Sequence, residues 1–317
     1  KFLLARPEVK AACLEKPLNP PSDARPVHLA AGAALANLQL IVDAGADVNA
    51  PSSAGSALHW LFSASLAAEE VAEGCGVLVK AGADVNAKEP QRGATPLILA
   101  CLHGNTRAAR TLLAANADAT VFAHNLSALS AAAVSGSTEC VELLLNFKYA
   151  GANGTTGEAL AQARDPEEKL LPVEHAAHAG HADLVDLLLP FSYPATSGEK
   201  KTAAQLFDDV RKYNEDRERA MAEADRQCDE LRQRGNDLFA KGDFVQALEW
   251  YDKVLTTVPN ASEKQRVMAL CNASACHLKL GGKESARDTA RRATDIDVKH
   301  VKAWFRLGQA ESALGDH

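Results

Sequence analysis

The sequence predicts an all-α protein made of two helical-repeat arrays, one after the other, joined by a long charged helix. Three observations predict it. Alanine is abundant while aromatic residues make up only 5% of the 317 residues, a composition that suits many small helices packed closely. A short motif recurs through the first two thirds of the chain, and a different helix-pair pattern recurs from Cys228 onward. No single unit of either kind can bury its own apolar face, so stability comes from stacking on neighbours. The expected boundaries are 1–197 for the first array, 198–227 for a degenerate closing repeat and connecting helix, and 228–317 for the second array.

Taken in order, KFLLARPEV reads as the tail of a helix whose beginning lies upstream, and a proline-rich loop with Pro17, Pro20, Pro21 and Pro26 follows. The recurring motif then runs RPVHLAA, GSALHWLF, ATPLILAC, LSALSAAA and LPVEHAA. Its matching positions Arg25, Ser56, Thr95, Ser127 and Leu171 are separated by 31, 39, 32 and 44 residues. Apolar helices ending in turns fall between them: LQLIVDAGADVNA, CGVLVKAGADVNA and LLAANADAT. Pro96 and Pro172 fall at a first helical turn, where a missing N–H does no harm. Gly45 and Gly82 are placed to take the left-handed conformation that ends a helix. Leu58, Leu97 and Leu129 are expected in the core, and His28 and His59 within reach of a neighbouring loop's backbone.

Motif, turn and a period of about 33 residues together resemble the ankyrin repeat, over about 200 residues. Two repeats carry insertions, near Ala64–Glu73 and near Ala150–Lys169, and the stretch Gly151–Gly157 is expected to form a surface loop. TAAQLF at Thr202 reads as a sixth, degenerate start. The resemblance implies a concave face that binds a protein. Trp60 and Phe62 are either core residues or an exposed anchor for that partner.

From Lys200 to Leu231, Leu206, Val210, Tyr213, Ala220, Ala224, Cys228 and Leu231 keep three-to-four spacing among charges of both signs, with Arg217 interrupting the stripe. That pattern is an amphipathic helix. Neither glycine nor proline breaks it between Gly198 and Gly235, so it is expected to run into the next array as a semi-rigid connector. Beyond it, Ala247, Tyr251 and Val254 match Ala286, Ala290 and Ala293, and Gly235 matches Gly308. The steps are 39 residues from Cys228 to Val267 and 34 from Val267 to Val301. Small residues such as Gly235 and Ala247 let antiparallel helices approach, and Phe244 and Tyr251 fill the space around them. A helix pair of about 34 residues resembles the tetratricopeptide repeat. The third unit ends after its first helix.

The net charge of −7 argues against a nucleic-acid binder that relies on a basic surface. Seven cysteines, at 13, 75, 101, 140, 228, 271 and 276, show no C-x-x-C spacing, which reads as a reduced thiol set. With neither an export signal nor an apolar run of about 18 residues, a cytoplasmic location is expected. His175, His178 and His181 form H-x-x-H-x-x-H, but no cysteine or carboxylate completes a ligand set, so no metal and no cofactor are expected. Gly74-Cys75-Gly76 lacks the lysine–serine pair of a phosphate loop. Without a catalytic constellation, the chain is expected not to be an enzyme.

The candidate site lies in the second array. Arg232 and Asn236 are four apart and share a helix face, as do Lys302 and Arg306. Asn272 occupies the corresponding helix between them. The tetratricopeptide resemblance puts these helices along a concave groove, so three cations and two amides would surround one spot suited to a chain-terminal carboxylate beside an acidic side chain. This arrangement looks like the carboxylate clamp of tetratricopeptide co-chaperones, which grips the Glu-Glu-Val-Asp tail of the seventy- and ninety-kilodalton heat-shock chaperones. Asn236, Asn272, Lys302 and Arg306 match that pattern, while Arg232 stands where lysine is usual; its planar fork differs from a point charge. Phe239 and Leu278 are candidates for the apolar part of the groove. The resemblance implies a chaperone adaptor, with a client or second factor on the first array. The alternative is a structural scaffold whose groove binds no chaperone tail.

Overall fold

The computed structural model describes residues 23–149, 156–193, 200–259 and 261–315. KFLLARPEV, Cys13 and Gly198 lie outside them, as does most of the Gly151–Gly157 stretch. Among the described residues there are sixteen helices and one isolated bridge, between Ala123 and Leu126. The chain divides into two compact units between Val210 and Arg211.

The first unit opens with the pairs α1 (Pro26–Ala33) and α2 (Leu35–Asp43), α3 (Ala57–Ser63) and α4 (Ala68–Lys80), and α5 (Pro96–Leu102) and α6 (Thr106–Ala114). It continues with α7 (Ala128–Ser135), α8 (Thr138–Asn146), the short α9 (Gly157–Ala161), α10 (Pro172–His178) and α11 (Ala182–Ser192). The helices α1, α3, α5, α7 and α10 pack on one another in succession, and α2, α4, α6 and α8 form a second row. One continuous core runs through them, with Leu58, Leu97 and Leu129 fully buried. Burial of each such side chain contributes about 1.5–3 kcal/mol.

Local chemistry sets each start. The Thr95 and Ser127 hydroxyls accept the N–H groups of Ile98 and Ser130. Leu171 has no hydroxyl, and there the Glu174 carboxylate accepts the Leu171 N–H at 2.8 Å. The turns repeat as regularly. Gly45 and Gly82 have φ of 81° and 86°, and in the NADAT turn Asn116 takes the glycine place at φ 65°. Asn49 then bridges to the next turn, donating to the Gly82 carbonyl at 2.9 Å and accepting the Asp84 N–H at 2.7 Å. Asn86 accepts the Asp118 N–H in the same way at 2.8 Å. His28 and His59 bridge the layers below, their Nε2 atoms bonding the Ala50 and Ala94 carbonyls at 2.9 and 3.0 Å.

The insertion near Ala64–Glu73 lengthens α4 at its start. The described part of the Ala150–Lys169 insertion holds α9, which packs against both α8 and α11. Gly157 is required there, because a Cβ on it would lie 2.0 Å from the Leu145 carbonyl oxygen. The loop after α9 is organised by the buried Asp165, whose carboxylate accepts the N–H groups of Glu167, Glu168, Lys169 and Leu170. Phe62 is buried at 6% exposure, and the Trp60 indole donates to Ser52 Oγ at 3.1 Å while packing on the core. Of the two readings of this pair, core packing is the one the structure bears out, with Phe62 buried and Trp60 half-buried against the core.

The helix expected after Lys200 is α12 (Ala203–Ala240), 38 residues long. Thr202 and Gln205 cap its start reciprocally. Its apolar stripe is not buried throughout. Leu206 joins the core of the first unit, whereas Tyr213 and every other residue from Arg211 to Ala220 are exposed. Charged side chains support the helix along this exposed stretch, through pairs such as Arg219 with Glu215.

In the second unit the end of α12 pairs with α13 (Phe244–Thr257), followed by α14 (Glu263–Lys279), α15 (Lys283–Ile296) and α16 (Val301–Leu314). Helix α14 packs on α13, α15 and α16. Ala247, Tyr251, Val254, Ala286, Ala290 and Ala293 are all buried, as their recurrence requires. Tyr251 sits among Ala247, Ala273, Cys276, Phe239 and Phe244.

Candidate functional site

The candidate residues come from three helices of the second unit: Arg232 and Asn236 from α12, Asn272 from α14, and Lys302 and Arg306 from α16. Three of them form one hydrogen-bonded chain. Lys302 Nζ donates to Asn272 Oδ1 at 3.0 Å, and Asn272 Nδ2 donates to Asn236 Oδ1 at 3.0 Å. Asn236 Oδ1 also accepts the Tyr251 hydroxyl at 2.8 Å.

The direction of this chain is set by chemistry. An ammonium can only donate, so it fixes which end of the Asn272 amide faces Lys302. That leaves the Asn272 amide nitrogen to face the Asn236 oxygen. Burial pushes the Tyr251 hydroxyl up to about 12, so it stays protonated and donates. Both amide oxygens are therefore occupied inside the protein. The Asn236 amide nitrogen makes no hydrogen bond among the described residues, and the ammonium retains donors of its own. What the cluster offers outward is N–H.

The two arginines flank the chain. Arg306 lies one turn beyond Lys302 and donates from Nη1 to Gln309 Oε1 at 2.7 Å. Burial pushes the Cys271 thiol up, while Lys302 and Arg306 act in the opposite sense, so both cations are within electrostatic reach of the middle of α14. Arg232 lies one turn before Asn236. Its Nη2 donates to Asp229 Oδ1 at 2.5 Å, and Gln265 Nε2 donates to the same oxygen at 2.9 Å. Next to the cluster, an open groove of about 740 Å³ is lined by Phe239, Leu278, Phe305, Arg306, Gly308 and Gln309 among others.

The structure thus joins Asn236, Asn272 and Lys302 directly, sets Arg306 on the rim of a groove containing Phe239 and Leu278, and gives Arg232 a carboxylate partner. Sequence reasoning missed Tyr251 as the anchor of Asn236, because its spacing marks it only as core. It also missed Asp229, although the three-residue spacing to Arg232 is a legible helix pair.

Two of the three histidines of H-x-x-H-x-x-H do separate work. His175 Nε2 lies 3.5 Å from Asp165 Oδ2, and His181 Nε2 bonds the Val134 carbonyl at 3.1 Å. Among the described residues no group of three potential ligands could hold a metal ion. All six cysteines in the described residues are free and buried, and no helix there is long and apolar enough to cross a membrane.

A family model for ankyrin repeats (3 copies) matches residues 61–157. Curated relatives include protein unc-45 homolog B of Danio rerio, 34% identical over 86 residues, which are 27% of this chain and 9% of the relative. Peptidyl-prolyl cis-trans isomerase FKBP4 of Mus musculus is 32% identical over 115 residues, 33% of this chain and 25% of the relative. The heat-shock protein cognate (HSC) co-chaperone sgt12 of Aspergillus fumigatus is 31% identical over 91 residues, 29% of this chain and 25% of the relative. The chain spans between about a tenth and a quarter of the length of these relatives. Among solved structures, the human ASB11 ankyrin repeat domain matches 60% of this chain and 84% of its own, at 24% identity and a TM-score of 0.45. The chain thus contains ankyrin repeats, its second unit is built of helix pairs with tetratricopeptide-like spacing, and it is similar over part of its length to co-chaperones.

Proposed function

We propose that the chain is a non-enzymatic adaptor whose second unit grips the acidic C-terminal end of a heat-shock chaperone while the ankyrin array holds a client or second protein. On this reading residues 1–197 form the ankyrin array, 198–227 the connecting segment and 228–317 the clamp-bearing repeats. Repeat arrays present extended surfaces suited to protein partners. One observation carries the clamp. The Lys302–Asn272–Asn236 chain uses up both amide oxygens internally, so the cluster presents donors and positive charge to the groove. Such a surface is matched to carboxylates, with each charge-assisted hydrogen bond contributing about 1.5–3 kcal/mol. Phe239 and Leu278 supply the apolar wall for the side chain beside the terminal residue. The likeness to the co-chaperone sgt12 supports the same reading.

The test is fluorescence anisotropy with a labelled peptide ending in Met-Glu-Glu-Val-Asp. It is expected to bind, with the C-terminally amidated peptide much weaker and Lys302→Glu with Arg306→Glu abolishing binding at unchanged helical circular dichroism. Equal binding of the free and amidated peptides removes the basis for the clamp. One observation favours a scaffold role instead. Trp304 and Phe305 are 50% and 59% exposed on α16, a surface that a neighbouring subunit or helix could bury.

A further inference from the structure

We infer that Asp229 is a built-in competitor for the clamp, an internal carboxylate that occupies Arg232 and lowers the affinity of the groove for its acidic ligand. This inference rests on the clamp reading above and adds a residue that sets its strength.

The three cations are not equivalent. Among the described residues, neither Lys302 nor Arg306 has a carboxylate within ion-pair distance; their partners are the neutral amides of Asn272 and Gln309. Arg232 alone is already paired, through Nη2 to Asp229 Oδ1 at 2.5 Å. The pair is fixed from outside the helix as well. Gln265, buried on α14, donates to the same Asp229 oxygen at 2.9 Å, and its amide also lies 3.5 Å from the Asp225 carbonyl. Arg232 first, then Gln265, hold the Asp229 carboxyl below the usual carboxylate range. It is therefore an anion at neutral pH.

Two consequences follow for an acidic ligand. A carboxylate approaching Arg232 meets a guanidinium whose charge is partly neutralised, and it meets the negative charge of Asp229 beside it. Both effects weaken binding without touching Asn236, Asn272, Lys302 or Arg306. The presence of arginine at this position fits the arrangement. A guanidinium offers several N–H donors in a fixed fork, so one edge can serve Asp229 while others stay available.

The test compares the whole chain with Asp229→Asn, Asp229→Ala and Glu230→Gln, using the labelled peptide ending in Met-Glu-Glu-Val-Asp. Glu230 is exposed and adjacent, and its substitution removes the same net charge without freeing Arg232. Releasing an exposed pair is expected to tighten binding at least about threefold in both Asp229 variants, with Glu230→Gln close to the unsubstituted chain. In an Arg232→Ala background the Asp229→Asn gain should shrink, because the part that acts by freeing Arg232 is then absent and only the relief of charge repulsion is left. Unchanged affinity in both Asp229 variants overturns the inference while leaving the clamp intact, and so does an equal gain from Glu230→Gln. Absence of binding in the unsubstituted chain and in every variant overturns the clamp reading and this inference together.

Discussion

Gly235 and Gly308 occupy matching points of the repeat, yet alanine at the two positions should act with opposite sign. At Gly235 a Cβ would lie 2.6 Å from Tyr251 Cε1, 2.9 Å from Cζ and 3.0 Å from Cδ1. The Tyr251 ring is 1% exposed and enclosed by Ala247, Ala273, Cys276 and Phe244, so it has little room to retreat. Overpacking of this kind costs about 1–3 kcal/mol. At Gly308 nothing lies within 4 Å of the added atom. Both glycines lie inside α-helices, so each substitution gains the same helix propensity, about 1 kcal/mol. Subtracting one variant from the other cancels that gain and isolates the steric term. Gly308→Ala should raise the urea midpoint, and Gly235→Ala should fall below it by a free energy of about 1–3 kcal/mol. Tryptophan fluorescence reports the transition, since Trp250 and Trp304 lie in the second unit. Equal stability of the two alanine variants, within about 0.5 kcal/mol, would refute the close-approach argument for Gly235.

Three further outcomes follow. Tyr251→Phe deletes the hydroxyl bonded to Asn236 and is expected to lower stability by about 1 kcal/mol in urea denaturation. Asp165→Ala strips the acceptor from four backbone N–H groups and should cost about 2–4 kcal/mol, seen as faster proteolysis between Gly157 and Leu170. Burial holds the pKa values of His28 and His59 below 6.5, and each Nδ1 already accepts a backbone N–H, from Arg25 and Ser56 respectively. The unfolded chain then takes up protons below pH 6.5 that the folded chain refuses. The full stability is present above that pH and is lost as pH falls towards the folded pKa values, by up to about 1.4 kcal/mol per histidine per pH unit. Urea midpoints at pH 7.5 and 5.5 should show that loss, and His59→Gln should reduce it.

Much of the first unit is legible because its signals are local. Thr95 and Ser127 cap helices three residues on, and a glycine that ends a helix needs only its own φ. The role of Asn49 and Asn86 was less legible, since their partners lie more than 30 residues away in the next turn. Trp60 and Phe62 were undecidable from pattern, because an apolar residue beside an insertion is buried or exposed according to how the insertion folds. The stripe of α12 shows what periodicity leaves open. Its periodicity continues through Tyr213 and Ala220, which are exposed, because periodicity records helix formation and not depth of burial.

At the candidate site the sequence by itself determined the residue types, their places on successive helices and the charge they bring together. Only the tertiary structure decided how they are wired. It gave the oxygens of Asn236 and Asn272 partners within the protein, put Tyr251 behind Asn236, and set Asp229, itself held by Gln265, on Arg232. The reason is that helical spacing fixes which residues share a face, whereas the direction of an amide and the pairing of a charge depend on donors and acceptors delivered by helices distant in the chain.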